Sequence, residues 1–369
     1  MISPTYPAAR VAAARVHDHF TQHLPGAAPD AASVEAVIEA AFWASLRREE
    51  GYMPRISLAW AAPEALRSPL MFERRLPLGA HTLTKLAPAV ERPGIHLGVW
   101  RDGEEFYIWG ATRDLPPFTF VLEVIAPGLL VVKHSRGERA QKFVNVAVLQ
   151  GDEVKVIDRQ PARLPDCPAL LASLLEFEIP HGSGESANVL LPLAVSMRAH
   201  GRGGSLLVVP SKSGRWRKSL AQPVLYALDP PFSALAQLVQ SPARINRNRQ
   251  WTDAMQRAID GVAGLTAVDG ATVISDRFEV FAFGAKIVRL DGSPHVAAVM
   301  LTEPVEGTAA AVVEPTQLGG TRHLSAAQFV HDQRDAIALV ASQDGRFTVF
   351  AWSPCENIVH AHRIEPLLL

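Results

Sequence analysis

Gly319-Gly320-Thr321-Arg322-His323-Leu324-Ser325-Ala326-Ala327 joins a glycine pair to a helical pattern that continues to Asp332. The amides of a helix start attract anions. Here a hydroxyl (Thr321), a guanidinium (Arg322) and an imidazole (His323) stand beside that start, a combination suited to phosphate. As residues alone, the segment also reads as an ordinary capped helix with solvated charges. Upstream, Val268-Asp269-Gly270-Ala271-Thr272-Val273-Ile274 sets a carboxylate and a glycine directly before an apolar run. A carboxylate at a strand edge can bind a divalent cation or polarise a hydroxyl, and the glycine permits close backbone approach. Asp-Gly is equally a common turn. Around these two segments the pattern alternates. Helices are predicted at 185–199, 231–239 and 250–265. Strands are predicted at Ser205–Val209, Ala271–Ser275, Phe278–Phe283, Ala336–Ser342 and Phe347–Ala351, with turns at His200–Gly204 and Asp344-Gly345. Such alternation predicts an α/β layer around a mixed sheet.

The first half has a different texture. Helices are predicted at 10–24 and 33–48, the second on the spacing of Val34, Val37, Ile38, Ala41, Phe42 and Leu46. Short apolar runs then follow at Ile56–Trp60, Ile95–Trp100, Glu105–Trp109, Phe118–Ile125, Leu129–His134, Phe143–Leu149 and Val154–Ile157. Asp102-Gly103 lies between two of them as a hairpin turn. This predicts a strand-rich, mostly antiparallel α+β unit. Arg159–Pro168 carries three prolines without periodicity and is the candidate linker, with a short helix at 169–178 after it. The expected organisation is 1–158 as an N-terminal domain, 159–184 as linker and connecting helix, and 185–369 as a C-terminal domain. No internal repeat is visible in the sequence.

The chain has 369 residues, 48% apolar and 20% charged, with a net charge of −1. That balance excludes disorder and argues against broad polyanion or membrane-surface binding, while leaving room for a local basic pocket. No apolar run reaches the ~18 residues of a spanning helix. Met1–Ala14 lacks the charged start and apolar block of a secretory signal. Cys167 and Cys355 lie far apart and outside any metal-binding spacing, so a reducing cytoplasm is expected. With 28 prolines and 25 glycines, the chain is punctuated into many short elements. There is no P-loop, no G-x-G-x-x-G between a strand and a helix, no G-x-S-x-G and no H-E-x-x-H. His17, His19 and His23 read as solvated histidines on a surface helix, and the Trp and Tyr residues of 95–109 as core. Lys212–Lys218 (KSGRWRK) and Arg244–Arg249 (RINRNR) could close over a phosphate, though surface charge is the plainer reading.

In this order the two opening segments, with Asp335–Gln343 after them, resemble the motifs of the diadenylate cyclase (DisA N-terminal-like) domain. That family carries Asp-Gly-Ala before a strand, Gly-Thr-Arg-His-Arg at a helix start, and a strand ending in Ser-Glu. The resemblance spans roughly 185–352. Ser45–Gly51 and Leu206–Pro210 are similar to a divergent branch, the probable-sensor family DACNV. The resemblance implies a diadenylate-cyclase-like fold holding ATP or a cyclic adenine (oligo)nucleotide. It implies that Asp269 sits near metal (Mg²⁺ or Mn²⁺) and ribose as the catalytic acid. Gly270 and Ala271 would lie near the nucleoside, Thr321, Arg322 and His323 on phosphates, and Ser342 at the pocket edge. It further implies a homodimer or oligomer through the cyclase-like domain and, for a sensor, a separate effector protein in a prokaryotic signalling or defence setting, with no membrane and no nucleic acid as partner. Two positions depart from the family: Leu324 replaces its second arginine and Gln343 its acid. Losing one charged phosphate contact costs about 1.5–3 kcal/mol. The expectation is therefore a nucleotide sensor. Its alternatives are an active diadenylate cyclase making cyclic di-AMP from two ATP, and a non-catalytic partner-binding protein whose vestigial pocket is filled by its own side chains, for instance from 291–318.

Overall fold

The computed structural model describes residues 5–23, 29–135, 143–158, 189–241 and 249–369. The linker and connecting-helix expectations at 159–184, the first residues of the 185–199 helix, Arg244–Asn248 and Cys167 lie outside them. The chain divides into two units, 1–158 with Leu369, and 159–368.

In the N-terminal unit, α1 (Pro7–His23) and α2 (Ala31–Ser45) precede β1 (Ile56–Trp60), β2 (Leu70–Pro77), α3 (Ala80–Val90), β3 (His96–Asp102), β4 (Glu105–Thr112), β5 (Phe120–Ala126), β6 (Leu129–Ser135), β7 (Phe143–Gln150) and β8 (Glu153–Val156). Asp30 caps α2 by accepting the Ser33 amide at 2.8 Å, the usual answer to an orphan first-turn donor. The apolar spacing of α2 buries Val34, Val37, Ile38 and Ala41 against Ile56, Leu58, Leu97 and Leu122 of the sheet. The sheet runs β2-β4-β3-β1-β5-β6-β7-β8. Among the described residues its only parallel pair is β1 with β3, bridged by a crossover through β2 and α3. The Asp102-Gly103 region makes the hairpin between β3 and β4, with Gly103 at φ +59°.

The C-terminal unit comprises α4 (Leu190–Ala199), β9 (Gly204–Val209), β10 (Tyr226–Phe232), α5 (Ala234–Gln240), α6 (Arg249–Leu265), β11 (Ala271–Ser275), β12 (Val280–Ala285), β13 (Val299–Thr302), β14 (Ala311–Val313), α7 (Thr321–Asp332), β15 (Ile337–Ala341), β16 (Phe347–Ser353) and β17 (Ile358–Arg363). Its sheet runs β10-β12-β11-β9-β15-β16-β17-β13-β14. One face buries Leu206, Val208 and Leu339 against Leu193, Met197, Ile259 and Val262 of α4 and α6. The other buries Leu207, Val340 and Phe350 against Phe329 and Val330 of α7. The unit therefore has three layers, with both sheet faces apolar, which is why β9 and β15 read as continuous apolar runs.

Several elements differ from the sequence reading. Residues 231–239 do not form one helix: β10 runs through Phe232 and α5 starts at Ala234. β10 carries Pro230 and Pro231 and is an edge strand, where proline is tolerated. β2, α3, β13, β14 and β17 were not anticipated. β2 is mostly exposed and lacks alternation, and β17 buries His360 and His362, which read as polar. His19, read as solvated, is buried.

The two sheets share a plan that the letters hide. The order β2-β4-β3-β1-β5-β6-β7 matches β10-β12-β11-β9-β15-β16-β17 strand for strand. Each adjacent pair also keeps its direction, parallel only at β1/β3 and β9/β11. What separates them is the connection from the β4 position to the β5 position. In the N-terminal unit it is 113–119; in the C-terminal unit it passes through β13, β14 and α7.

Candidate ligand-binding site

Strand direction gathers the site. β9 and β11 are parallel, so Ser205 lies beside Ala271 at their N-terminal ends. β15 and β12 run the other way. Their C-terminal ends therefore reach the same sheet edge, Ala341 beside Gly204 and Ala285 beside Ala271. The start of α7 closes the group. Between them lies a cavity of about 650 Å³, lined among others by Asp269, Gly270, Ala271, Thr321, Arg322, His323 and Ser342. All seven residues singled out in the sequence thus share one cavity. Its volume lies within the ~300–1,000 Å³ of small-molecule sites. None of residues 291–318 lines it, so the insertion does not fill it.

Two glycines shape its walls. Gly270 has φ +102°, and a Cβ there would meet the carbonyl carbon of Gly284 at 2.5 Å. The two backbones touch where the β11–β12 register slips, and this fixes the corner that presents Asp269. Gly203 has φ +70°, and a Cβ there would lie 3.0 Å from Nη1 of Arg322. The turn before β9 thereby leaves room for the guanidinium.

Charges are divided across the cavity. Asp269 stands on one wall, with Lys286 just past the end of β12, and Arg322 stands at the start of α7. None of the three has an ion pair among the described residues. Gly320 at the N-cap supplies no capping side chain; the His323 amide donates to the Gly320 carbonyl at 3.0 Å, and the Thr321 and Arg322 amides of this cavity-lining turn have no backbone partner among the described residues. His323 is 2% exposed, and neither ring nitrogen has a hydrogen-bond partner. Burial pushes its imidazole below the usual histidine range; Arg363, Arg346 and Arg322 push the same way and Asp344 opposes. It is a neutral, unsatisfied donor and acceptor, and an unmade buried hydrogen bond costs about 1–3 kcal/mol. A ligand in the cavity could satisfy it.

Behind Ser342, burial raises the Asp344 carboxyl, yet the Ser342 hydroxyl and the amide and charge of Arg346 hold it below the ordinary value. Gln343 lines the cavity and donates from Nε2 to the Arg202 carbonyl at 3.3 Å. Leu324 does not line the cavity and is 38% exposed.

Sequence reasoning missed Ser205, Lys286 and Ile287 on the lining. Lys286 carried no motif, and only the antiparallel return of β12 brings it to Asp269. The basic stretch Lys212–Lys218 does not line the cavity. Its Trp216 is buried and stacks on Phe281 at 5.5 Å, with Arg217 over the indole. The residues that follow brace the wall: the amide of Ala221 donates to Lys286, and that of Val288 to Ser219. At the other candidate positions, His17 Nδ1 lies 3.0 Å from the Pro29 carbonyl oxygen. Trp109 is core, donating to the Ala61 carbonyl at 2.8 Å. No group of three or more His, Cys, Asp or Glu poised for a metal occurs among the described residues. Nor is any described helix long and apolar enough to cross a membrane.

A family model described as probable sensor domain DACNV matches residues 24–113. The match covers α2 to β4 and Ser45–Gly51, and it stops short of Leu206–Pro210 and of the cavity. No curated protein matches the chain. Among solved structures, a hypothetical membrane spanning protein from Bacillus cereus is similar at 15% identity with a TM-score of 0.30, over 53% of this chain and 71% of that one.

Proposed function

We propose that the C-terminal unit is diadenylate-cyclase-like and binds an adenine nucleotide, ATP or a cyclic adenine (oligo)nucleotide, and that the chain acts as a nucleotide sensor. The observation that carries this reading is one cavity lined by Asp269, by Arg322 and the buried His323, neither with a side-chain partner among the described residues, and by a helix start with no capping side chain. Helix-start amides, a guanidinium and a hydroxyl are the groups that bind phosphate oxygens. The choice of adenine rests on the resemblance of the Asp-Gly-Ala and Gly-Thr-Arg-His segments. The DACNV match supports the sensing role.

A divalent cation fits the donor set in one way. Mg²⁺ is commonly held by one or two carboxylates together with substrate phosphates, and Asp269 is the carboxylate on the lining. Mg²⁺ or Mn²⁺ would screen phosphate charge there. Asp269 also favours the second reading, an active cyclase in which two such units each present an ATP. Against efficient turnover, Leu324 brings no charge to the cavity, and Gln343 offers an amide already engaged with Arg202.

Calorimetry of the chain with ATP and with cyclic di-AMP, with and without Mg²⁺, tests the proposal. One saturable site is expected, weakened about tenfold to a hundredfold in Arg322→Ala by loss of a charged hydrogen bond. Absence of heat at millimolar ligand, or an Arg322→Ala variant indistinguishable from the parent, would overturn it. Chromatography of a long incubation with ATP separates the readings: cyclic dinucleotide, lost in Asp269→Asn, marks the cyclase.

A further inference from the structure

The shared strand plan predicts where a second site would be, and the N-terminal unit has a cavity there. Placing Ser57-Leu58 on Ser205-Leu206 aligns both sheets at once. Leu58 pairs with Leu97 and Leu122 as Leu206 pairs with Thr272 and Leu339. Leu58 and Leu206 both face the helices of their own unit, so the placement keeps the inside and outside of each sheet. The cavity of about 650 Å³ sits at the start of β9, the loop into β11 and the end of β15. At the start of β1, the loop into β3 and the end of β5 there is a cavity of about 210 Å³, lined by Arg55, Ser57, Glu91, Arg92, Gly94 and Glu123 among others. The topological equivalence, rather than the size of the hollow, is what marks it.

Its chemistry differs in ways that define the ligand. The residues at Asp269-Gly270-Ala271 become Gly94-Ile95-His96, so the carboxylate is gone. His96 turns its Nδ1 to the Ser57 hydroxyl at 2.7 Å. No helix follows β4, so there is neither a helix start nor a counterpart of Arg322 and His323. Glu123 is neutralised by Lys133 at 2.7 Å. Two guanidiniums (Arg55 and Arg92) and one carboxylate (Glu91) remain around the cavity, none with an ion pair or hydrogen bond among the described residues. Two forks suit one carboxylate, which they can grip bidentately. Glu91 suits one ammonium. At about 210 Å³ against about 650 Å³ in the C-terminal unit, the hollow suits a smaller ligand.

We propose that the N-terminal unit holds a second, independent site for a small zwitterionic acid, a free amino acid, with Arg55 and Arg92 on its carboxylate and Glu91 on its ammonium. This proposal does not rest on the nucleotide reading of the C-terminal unit. All three side chains are exposed, so their replacement leaves the fold standing.

The test is calorimetry of the full chain with a panel of free amino acids at millimolar concentration, and with inorganic phosphate and a simple amine as controls. One member of the panel is expected to bind at one site per chain. Arg92→Ala and Arg55→Ala should each weaken it by about tenfold or more, Arg92→Lys by less than Arg92→Ala, and Glu91→Gln should favour the deaminated acid. Arg322→Ala should leave it unchanged, which separates this site from the first. No binding by any panel member overturns the proposal. So does binding insensitive to both arginines, or inorganic phosphate binding as tightly as the best amino acid.

Discussion

Replacing Gly270 with alanine isolates the contact that shapes the cavity corner. Two costs add. At φ +102° a side chain is strained, at about 1–2 kcal/mol for a residue outside the regions open to L-amino acids. The added Cβ would also stand 2.5 Å from the Gly284 carbonyl carbon, 2.7 Å from its oxygen and 2.9 Å from the Ala285 nitrogen. These are backbone atoms held in the β11–β12 ladder and cannot rotate away, so β12 must shift, at about 1–3 kcal/mol for forced overpacking. The expected total is about 2–5 kcal/mol against a domain stability of about 5–15 kcal/mol. Gly201 is the control. Its φ is +65°, but nothing lies within 4 Å of its Cβ position, so Gly201→Ala incurs only the conformational cost. Two units invite two transitions, so a whole-chain melt is the wrong readout. Urea-dependent hydrogen exchange followed on β11 and β12 is the right one. A Gly270→Ala variant no less stable than Gly201→Ala would refute the close-approach argument.

Gly203→Ala should act differently, because its Cβ meets the far end of a flexible side chain, Nη1 of Arg322 at 3.0 Å. Stability should fall by about 1 kcal/mol from φ +70°, while calorimetric ATP affinity falls about tenfold as the guanidinium is displaced; unchanged affinity would separate Arg322 from phosphate binding. Acid should destabilise both units. Burial lowers His96 to about 4 and His362 to about 3, so between those values and about 6.5 the unfolded chain takes up protons that the native state refuses. Each histidine then removes about 2 kcal/mol at pH 5 relative to neutral pH, with stability rising as pH rises through that window. Urea midpoints at the two pH values measure this, and a His96→Asn variant with an undiminished pH slope in the N-terminal unit would contradict it.

The readable parts of the fold were those whose burial is uniform. β9, β11 and β15 are apolar on both faces and announce themselves as Val-, Leu- and Ala-rich runs; α7 is marked by the glycine pair before it. Those same segments carry Asp269 and Arg322, so much of the cavity lining was legible. Edge strands were not. β10 holds two prolines and is mostly exposed, and β2 is exposed along nearly its whole length. Lys286 was silent because its place in the lining comes from which strand end lies beside which. The repeated plan was hidden for the same reason. It survives in strand order and direction, while its aligned positions have drifted to such pairs as Gly94 for Asp269 and His96 for Ala271.

The difference between the two units says which element would carry phosphate binding under the proposed function. A seven-strand frame common to both cannot by itself supply it, since the frame of the N-terminal unit offers its cavity no helix start. The C-terminal unit adds α7 within the β12–β15 connection, and α7 is aimed from its far end. There the buried Asp332 accepts from the Leu290 amide at 2.8 Å and from Gln328 at 3.0 Å, with Ser293 and His331 beside it. Burial raises that carboxyl, but these donors together hold it below its ordinary value. Next to it, Gln333 donates to Ser219 at 2.8 Å, in the segment that braces Lys286. The anchored end of α7 and the opposite wall are therefore one hydrogen-bonded assembly. At the other end of the helix, Arg322 has no ion pair and His323 no hydrogen-bond partner among the described residues, which is the state a bound anion would complete under the proposed function.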